Sequence, residues 1–380
     1  MKVTIAIDSL KGSLSSLEAG RAIGTGVKKA WPEAEVCVRP LADGGEGTVE
    51  AVTSAMGGEM VTLRVTGPLG EPVDCVYGVI RESRTAVLEM AGAAGLTLLK
   101  DEERNPLKTT TYGVGEVIWD AVKRGCRHFL VGIGGSATND GGIGMLQALG
   151  FGMRDKEGKQ VPFGAQGLAV LERIEDGEVM PELRECTFRI ACDVTNPLCG
   201  PQGCSAIYGP QKGADAEMIA EMDTWMEAYG ALTEAKYPGM DSKTPGCGAA
   251  GGIGFAFYAF LGGVLESGIK IVLEETRLDD YVKDADIVVT GEGRLDGQTV
   301  MGKAPIGVAK TAKKYGKKVI AFSGSVTKDA IACNQEGIDA FFPILRRIVT
   351  LEEAMDADTA RENMEDTSEQ VFRLIRAFME

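Results

Sequence analysis

The chain has 380 residues, 44% apolar and 25% charged, which is enough for about two domain cores and too apolar for a disordered polymer. Its formal charge of −15 argues against nucleic acid and anionic membrane as partners, because both are gripped by basic fields, so an anionic ligand must be held by local groups. The single histidine, His128, rules out multi-histidine metal sites, and its place before a strand after the turn RGCR reads as structural or exposed, which leaves no histidine for a Ser-His-Asp triad or Cys-His pair; nine scattered cysteines without a C-x-x-C fit a reducing cytoplasm better than a disulfide framework or zinc ribbon.

In chain order, Lys2 to Ile7 is a predicted buried strand, too short and too soon interrupted by Asp8 to be a signal peptide. It runs into Asp8-Ser9-Leu10-Lys11-Gly12-Ser13, and Ser15 with Glu18 forms a capping box opening a helix to about Lys29. Val36 to Arg39 is a second strand, followed by Asp43-Gly44-Gly45-Glu46-Gly47 and a helix from Thr48 to Met56. Residues 60 to 90 change rhythm, with short strands and a hairpin turn at GPLGEP and no intervening helix. Phe129 to Ile133 is a buried strand, Gly134 to Gly142 a glycine-rich turn, and Met145, Leu146 and Leu149 have helical spacing. The strand FRIAC ends at Asp193-Val194-Thr195-Asn196-Pro197, ahead of a long loop through Gly209-Pro210-Gln211-Lys212-Gly213.

Gly248 to Leu265 is uncharged for 18 residues, the lower limit for a membrane span, but its glycines and lack of a basic flank predict a buried helix. Strands are then expected near Ile269 to Leu273, Ile287 to Thr290, Val319 to Ser323 and Ala340 to Leu345, with solvated helices from Leu351 to Glu380 covering the sheet. The alternation predicts an α/β fold: a doubly wound parallel, Rossmann-like domain from residues 1–59 and 268–380, with a second α/β domain, 60–267, inserted in sequence. The cleft between two such domains is the expected active site.

The Gly134 to Gly142 turn is a candidate anion site, since glycine lets backbone approach a ligand and N–H groups at a helix start attract negative charge. Asp140 would repel that anion unless a divalent cation lies between them, the usual arrangement in phosphoryl transfer. The bland alternative is a tight connection whose glycines only permit packing. A rival is the dinucleotide fingerprint G-x-G-x-x-A at Gly132, Gly134 and Ala137, although Asp155, its expected ribose acid, sits in the turn-like RDKEG. Four more acidic glycine loops, at Asp8, Asp43, Asp193 and Thr290-Gly291-Glu292-Gly293-Arg294-Leu295-Asp296 with Gly302-Lys303, also follow strands. Phosphoryl transfer needs such a set: carboxylates for Mg²⁺, N–H groups and lysine for phosphate oxygens, and one carboxylate to take the proton of the attacking hydroxyl. Neither a P-loop motif nor the protein-kinase H-R-D and D-F-G motifs occur.

The segments DSLKGSLSS, PLADGGEGTVEA, GIGGSATNDGGIGMLQALG, ACDVTNPLCGPQGCSAIYGPQKGA, PGCGAAGGIGFA and VVTGEGRLDGQTVMGKAPIGVAK together resemble, in order and across nearly the whole chain, the bacterial glycerate kinase family, type I. The resemblance implies two α/β domains and ATP-dependent, Mg²⁺-assisted phosphorylation of D-glycerate, at O2 in the best-known branch, with transfer to O3 as the alternative. It carries the family's acidic motif residues onto Asp8, Asp43, Asp140, Asp193 and Asp296, and its basic ones onto Lys11 and Lys303. Asp193, at a strand end beside Asn196, is the expected base, with Lys11 and Asp8 as further catalytic groups. Asn196, Arg294 and Asp43 are expected on the substrate; Gly134, Gly135, Ser136, Thr138, Asn139 and Lys303 on nucleotide phosphates; and Asp296, Glu292 and Asp140 on Mg²⁺. The first motif departs from the family's usual proline and aromatic residue at Ile7 and Leu10, and Met301 stands where polar residues are common.

Two readings from other classes remain at this point, an NAD(P)-dependent oxidoreductase of a small hydroxy acid and a noncatalytic sugar-acid sensor. A sensor of anions gains nothing from several carboxylates. The expected partners are D-glycerate and ATP, in the cytoplasm, and monomer and homodimer both stay open.

Overall fold

The structure is a computed structural model and describes residues 1–379. In chain order its strands are β1 (Lys2–Ile5), β2 (Glu35–Val38), β3 (Glu59–Thr66), β4 (Pro72–Ile80), β5 (Thr85–Glu89), β6 (His128–Gly132), β7 (Gly152–Arg154), β8 (Arg173–Glu175), β9 (Thr187–Ala191), β10 (Val264–Glu266), β11 (Ile287–Leu295), β12 (Lys318–Val326) and β13 (Ala340–Pro343). The chain forms two compact units, one of Met1–Asp43, Glu50–Met56 and Ile269–Glu380, the other of Gly44–Val49 and Gly57–Gly268.

In the first unit the strands lie in the order β13-β12-β11-β1-β2 and every pairing is parallel. Taken within the unit, that is the 2-1-3-4-5 order of a doubly wound sheet, whose winding reverses between β1 and β11. Val3, Ile5, Ile7, Val289 and Phe322 are buried in one core with Ile23, Val27, Met364 and Phe372 from helices Ser16–Ala30 and Ala357–Met379. The first of these helices opens with the expected capping box: Glu18 N donates to Ser15 Oγ at 3.3 Å and Ser15 N to Glu18 Oε2 at 2.9 Å. The two helices touch at Gly26, where a Cβ would lie 2.0 Å from Ser368 Oγ and 2.4 Å from the Glu365 carbonyl, so the approach requires glycine.

The second unit has a mixed six-stranded sheet, β10-β9-β6-β5-β4-β3. β3, β4 and β5 pair antiparallel, with Thr66 opposite Pro72 across the GPLGEP turn, whereas β5, β6, β9 and β10 run parallel. Phe129 stacks on Phe188 at 4.8 Å between ring centroids, and Phe188 meets Phe257 at 5.8 Å. Two expectations fail between residues 248 and 275. The uncharged stretch is not one helix: Ala249–Gly252 is a 3-10 turn, Ile253–Leu261 the helix, and β10 follows. The strand expected near Ile269 to Leu273 is instead the helix Gly268–Glu275, whose buried Ile269 and Val272 sit three residues apart on one helical face. A short apolar run satisfies either period, and here tertiary packing chose. Among the described residues no helix is long and apolar enough to cross a membrane.

Candidate active site

In the first unit a pocket of about 400 Å³ opens at the carboxyl ends of the strands, where doubly wound sheets bind ligands. β1 delivers Asp8 to Lys11, β11 delivers Glu292 to Arg294, β12 delivers Ser325, and Ile344 and Leu345 follow β13. Asp43, Asp296 and Lys303 complete its charged lining, giving four carboxyl groups and three cations.

Burial, and secondarily the charge of Asp43, pushes the Asp8 carboxyl up to about 7; the Ser9 N–H donates to its Oδ1 at 2.7 Å and opposes that shift. Lys11 Nζ stands 3.9 Å from Asp43 Oδ2. Burial likewise raises Glu292, against a 2.6 Å hydrogen bond from Thr299 Oγ1 to Oε1 and the Lys303 ammonium 3.8 Å from Oε2. Asp296 Oδ1 accepts from Gln298 N at 2.9 Å and Thr299 N at 3.3 Å, so this carboxylate shapes the turn that carries Lys303 toward Glu292. Arg294 Nε lies 3.7 Å from Asp296 Oδ2, with 65% of its side chain exposed and its fork available to a carboxylate.

Among the described residues no three acidic, cysteine or histidine side chains converge as a metal cage. Glu292 and Asp296 are joined through Thr299, whose hydroxyl donates to Glu292 and whose N–H donates to Asp296.

In the second unit the strand-to-helix turn after β6 divides into an outer and an inner part. Gly134 and Gly135 are exposed, whereas Ser136, Thr138, Asn139 and Asp140 are buried. Asp140 Oδ2 accepts from the Thr111 N–H at 2.9 Å, Thr111 Oγ1 at 2.8 Å and Gly144 N at 3.3 Å, and Oδ1 accepts from Gly142 N at 3.0 Å. Burial raises its carboxyl, opposed by these donors. Gly144 must be glycine, since a Cβ would meet Thr110 Oγ1 at 2.3 Å. Asn139 Nδ2 donates to Ser205 Oγ at 2.9 Å. The Asp140, Asn139 and Thr138 side chains, expected on Mg²⁺ and nucleotide phosphates, are all buried, with Asp140 bracing the turn through its four hydrogen bonds and Asn139 through Ser205.

Lys212 is also buried, donating to Ser136 Oγ at 2.8 Å and the Thr138 carbonyl at 2.6 Å, and burial lowers its ammonium to about 8. Asp193 is exposed just beyond β9 and accepts from the Gly268 N–H at 3.2 Å. Asn196 is occupied in its own loop, donating to the Gln202 carbonyl at 2.7 Å and accepting from Tyr208 Oη at 2.7 Å. Sequence reasoning missed Lys212 as the brace of the glycine loop, although the K-G pair after a proline turn was visible. It missed Thr111 and the apolar wall of Leu351, Ala354 and Met355 in the first unit's pocket entirely. Asp155 accepts from Glu157 N and Lys159 N at 2.8 and 2.9 Å in an exposed turn, so the dinucleotide fingerprint lacks its acid.

Residues 3–376 match the glycerate kinase family. The chain is 45% identical to a glycerate kinase of Haemophilus influenzae, covering 99% of both chains, and 48% identical to a glycerate 2-kinase of Escherichia coli, covering 93% of both. It is also similar to a solved structure of a candidate glycerate kinase 2 from Salmonella typhimurium LT2, with a TM-score of 0.92 and 46% identity over 100% of this chain and 99% of that one.

Proposed function

The chain belongs to the glycerate kinase family, and from that premise we propose that it transfers the γ-phosphoryl group of ATP to O2 of D-glycerate, yielding 2-phospho-D-glycerate and ADP. The observation that carries the kinase reading is the charged pocket at the winding reversal of the parallel sheet, with Asp8, Lys11, Glu292 and Lys303 on its wall. Position O2 is favoured by the glycerate 2-kinase among the relatives.

Asp193 is the base in this proposal: it stands exposed at a strand end, oriented by the Gly268 N–H, and accepts the hydroxyl proton as the oxygen attacks. Asp8, buried against Asp43 and within the field of Lys11, is a carboxyl poised to change charge in the working pH range. Lys11 and Lys303 hold phosphate oxygens, and Gly134 and Gly135, exposed in the glycine loop, are its part that offers backbone N–H groups to an anion, with Ser136 fixed behind them by Lys212. Glu292 and Asp296 would hold Mg²⁺, which would supply charge neutralisation at the phosphates. Arg294 grips the glycerate carboxylate through its planar fork, with Asp43 nearby in the same pocket, while Asn196 shapes the Asp193 loop. The two compact units are read as two domains, with Gly44–Val49 belonging to the inserted one.

Phosphorus and carbon NMR of the product from Mg-ATP and D-glycerate tests the reading. Phosphorus coupling to C2 is the expected result. Coupling to C3 would replace O2 with O3, and stable ATP with no phosphorylated product would overturn the kinase reading.

A further inference from the structure

The pocket of the first unit has a chemically mixed lining. Beside the carboxylates and lysines already described, its lining includes the apolar Ile344, Leu345, Leu351, Ala354 and Met355 that follow β13, and Leu10. A three-carbon acid with an oxygen on every carbon offers nothing to an apolar wall, and a volume of about 400 Å³ is that of a site for a much larger ligand. Leu351, Met355 and Leu345 are 76%, 38% and 36% exposed, although each faces the pocket. The helix Leu351–Met355 buries no residue at all, and its start is held by a capping box between Thr350 and Glu353. Sequence period alone makes this helix a cover for the sheet, yet its Leu351 side chain stays three-quarters exposed.

The wall is continuous with the charged side. Met355 Cε lies over Gly12, 2.6 Å from where a Cβ would stand, and Gly12 follows Lys11 directly. A flat aromatic group on the wall would thus have its attached phosphates led toward Lys11 and Lys303. Methionine and leucine suit such a group, since a thioether is polarizable and favours contact with aromatic rings.

Resting on the kinase reading, we infer that Leu345, Leu351, Ala354 and Met355 form the subsite for the purine base of the nucleotide, so that base and phosphates are bound by the same unit. Isothermal titration of ADP, adenosine and inorganic tripolyphosphate into the full chain tests this, comparing wild type with the Leu351→Gln/Met355→Gln double variant. Both positions are partly or largely exposed, so folding is little affected. The variant should bind ADP about tenfold more weakly, equivalent to about 1.4 kcal/mol. It should lose adenosine binding and keep wild-type affinity for tripolyphosphate, which never touches the wall, and the KM for glycerate should not move. Unchanged ADP affinity in the variant overturns the subsite, and so does equal weakening of tripolyphosphate. Wild-type protein that binds adenosine on this wall but forms no phosphoglycerate would instead overturn the kinase reading and leave the base subsite standing.

Discussion

The two units make opposite use of the same local signature, an acid beside glycines at the end of a parallel strand. In the first, Asp8, Asp43, Glu292 and Asp296 line an open pocket with Lys11, Arg294 and Lys303. In the second, Asp140 is wholly enclosed and receives four hydrogen bonds from Thr111, Gly142 and Gly144. The difference teaches that such a loop does not declare whether its carboxylate serves a ligand or the loop. Enough internal N–H and O–H donors to satisfy a buried charge, as at Asp140, mark the second case. Asp193 is the second unit's exception, exposed where Asp140 is buried.

That exception is the sharpest point of attack. Asp193→Asn should lower kcat about 10³-fold with little change in stability, because a general base contributes two to four orders of magnitude; near-normal turnover in a steady-state assay would remove Asp193 from the chemistry. Asp140→Ala should do the reverse kind of damage, destabilising the chain by about 3 kcal/mol through donors left unpaired, as read by urea unfolding. If it abolished Mg²⁺-dependent activity while leaving the unfolding midpoint unmoved, the contrast between the units would collapse.

Asp8 tests the open pocket through pH. Its folded carboxyl is raised from 3.8 to about 7, so its favourable contribution to stability is complete below the unfolded value and disappears as pH climbs through about 7. Asp8→Asn, which mimics the neutral acid, should therefore be more stable than wild type by about 2 kcal/mol at pH 8, a fraction of the full shift at 1.36 kcal/mol per unit. The advantage should vanish near pH 4, and chemical denaturation across that range would show whether it does. The smallest effect belongs to Arg294→Lys, which should raise the KM for glycerate about tenfold, about 1.4 kcal/mol, with kcat nearly kept, since an ammonium cannot reproduce a bidentate fork. An unchanged KM in substrate titrations would take Arg294 off the glycerate carboxylate.

Much was legible in the chain because it is local. The Ser15–Glu18 capping box and the GPLGEP turn specify elements through contacts within a few residues. The long ordered motifs carry the family for the same reason. The run from Gly248 to Leu273 was not legible, because short apolar runs fit helix and strand alike, and only contact with β9 made Val264–Glu266 a strand while the next turn became helix. Nor could spacing show that Lys212 would reach back 76 residues to Ser136, or that Thr111 would find Asp140 from 29 residues away. The sequence by itself therefore determined most of the elements, the family and the list of charged loops. Tertiary structure alone decided which carboxylates face a pocket and which are enclosed, because burial and hydrogen-bond partners come from chain segments far apart in sequence.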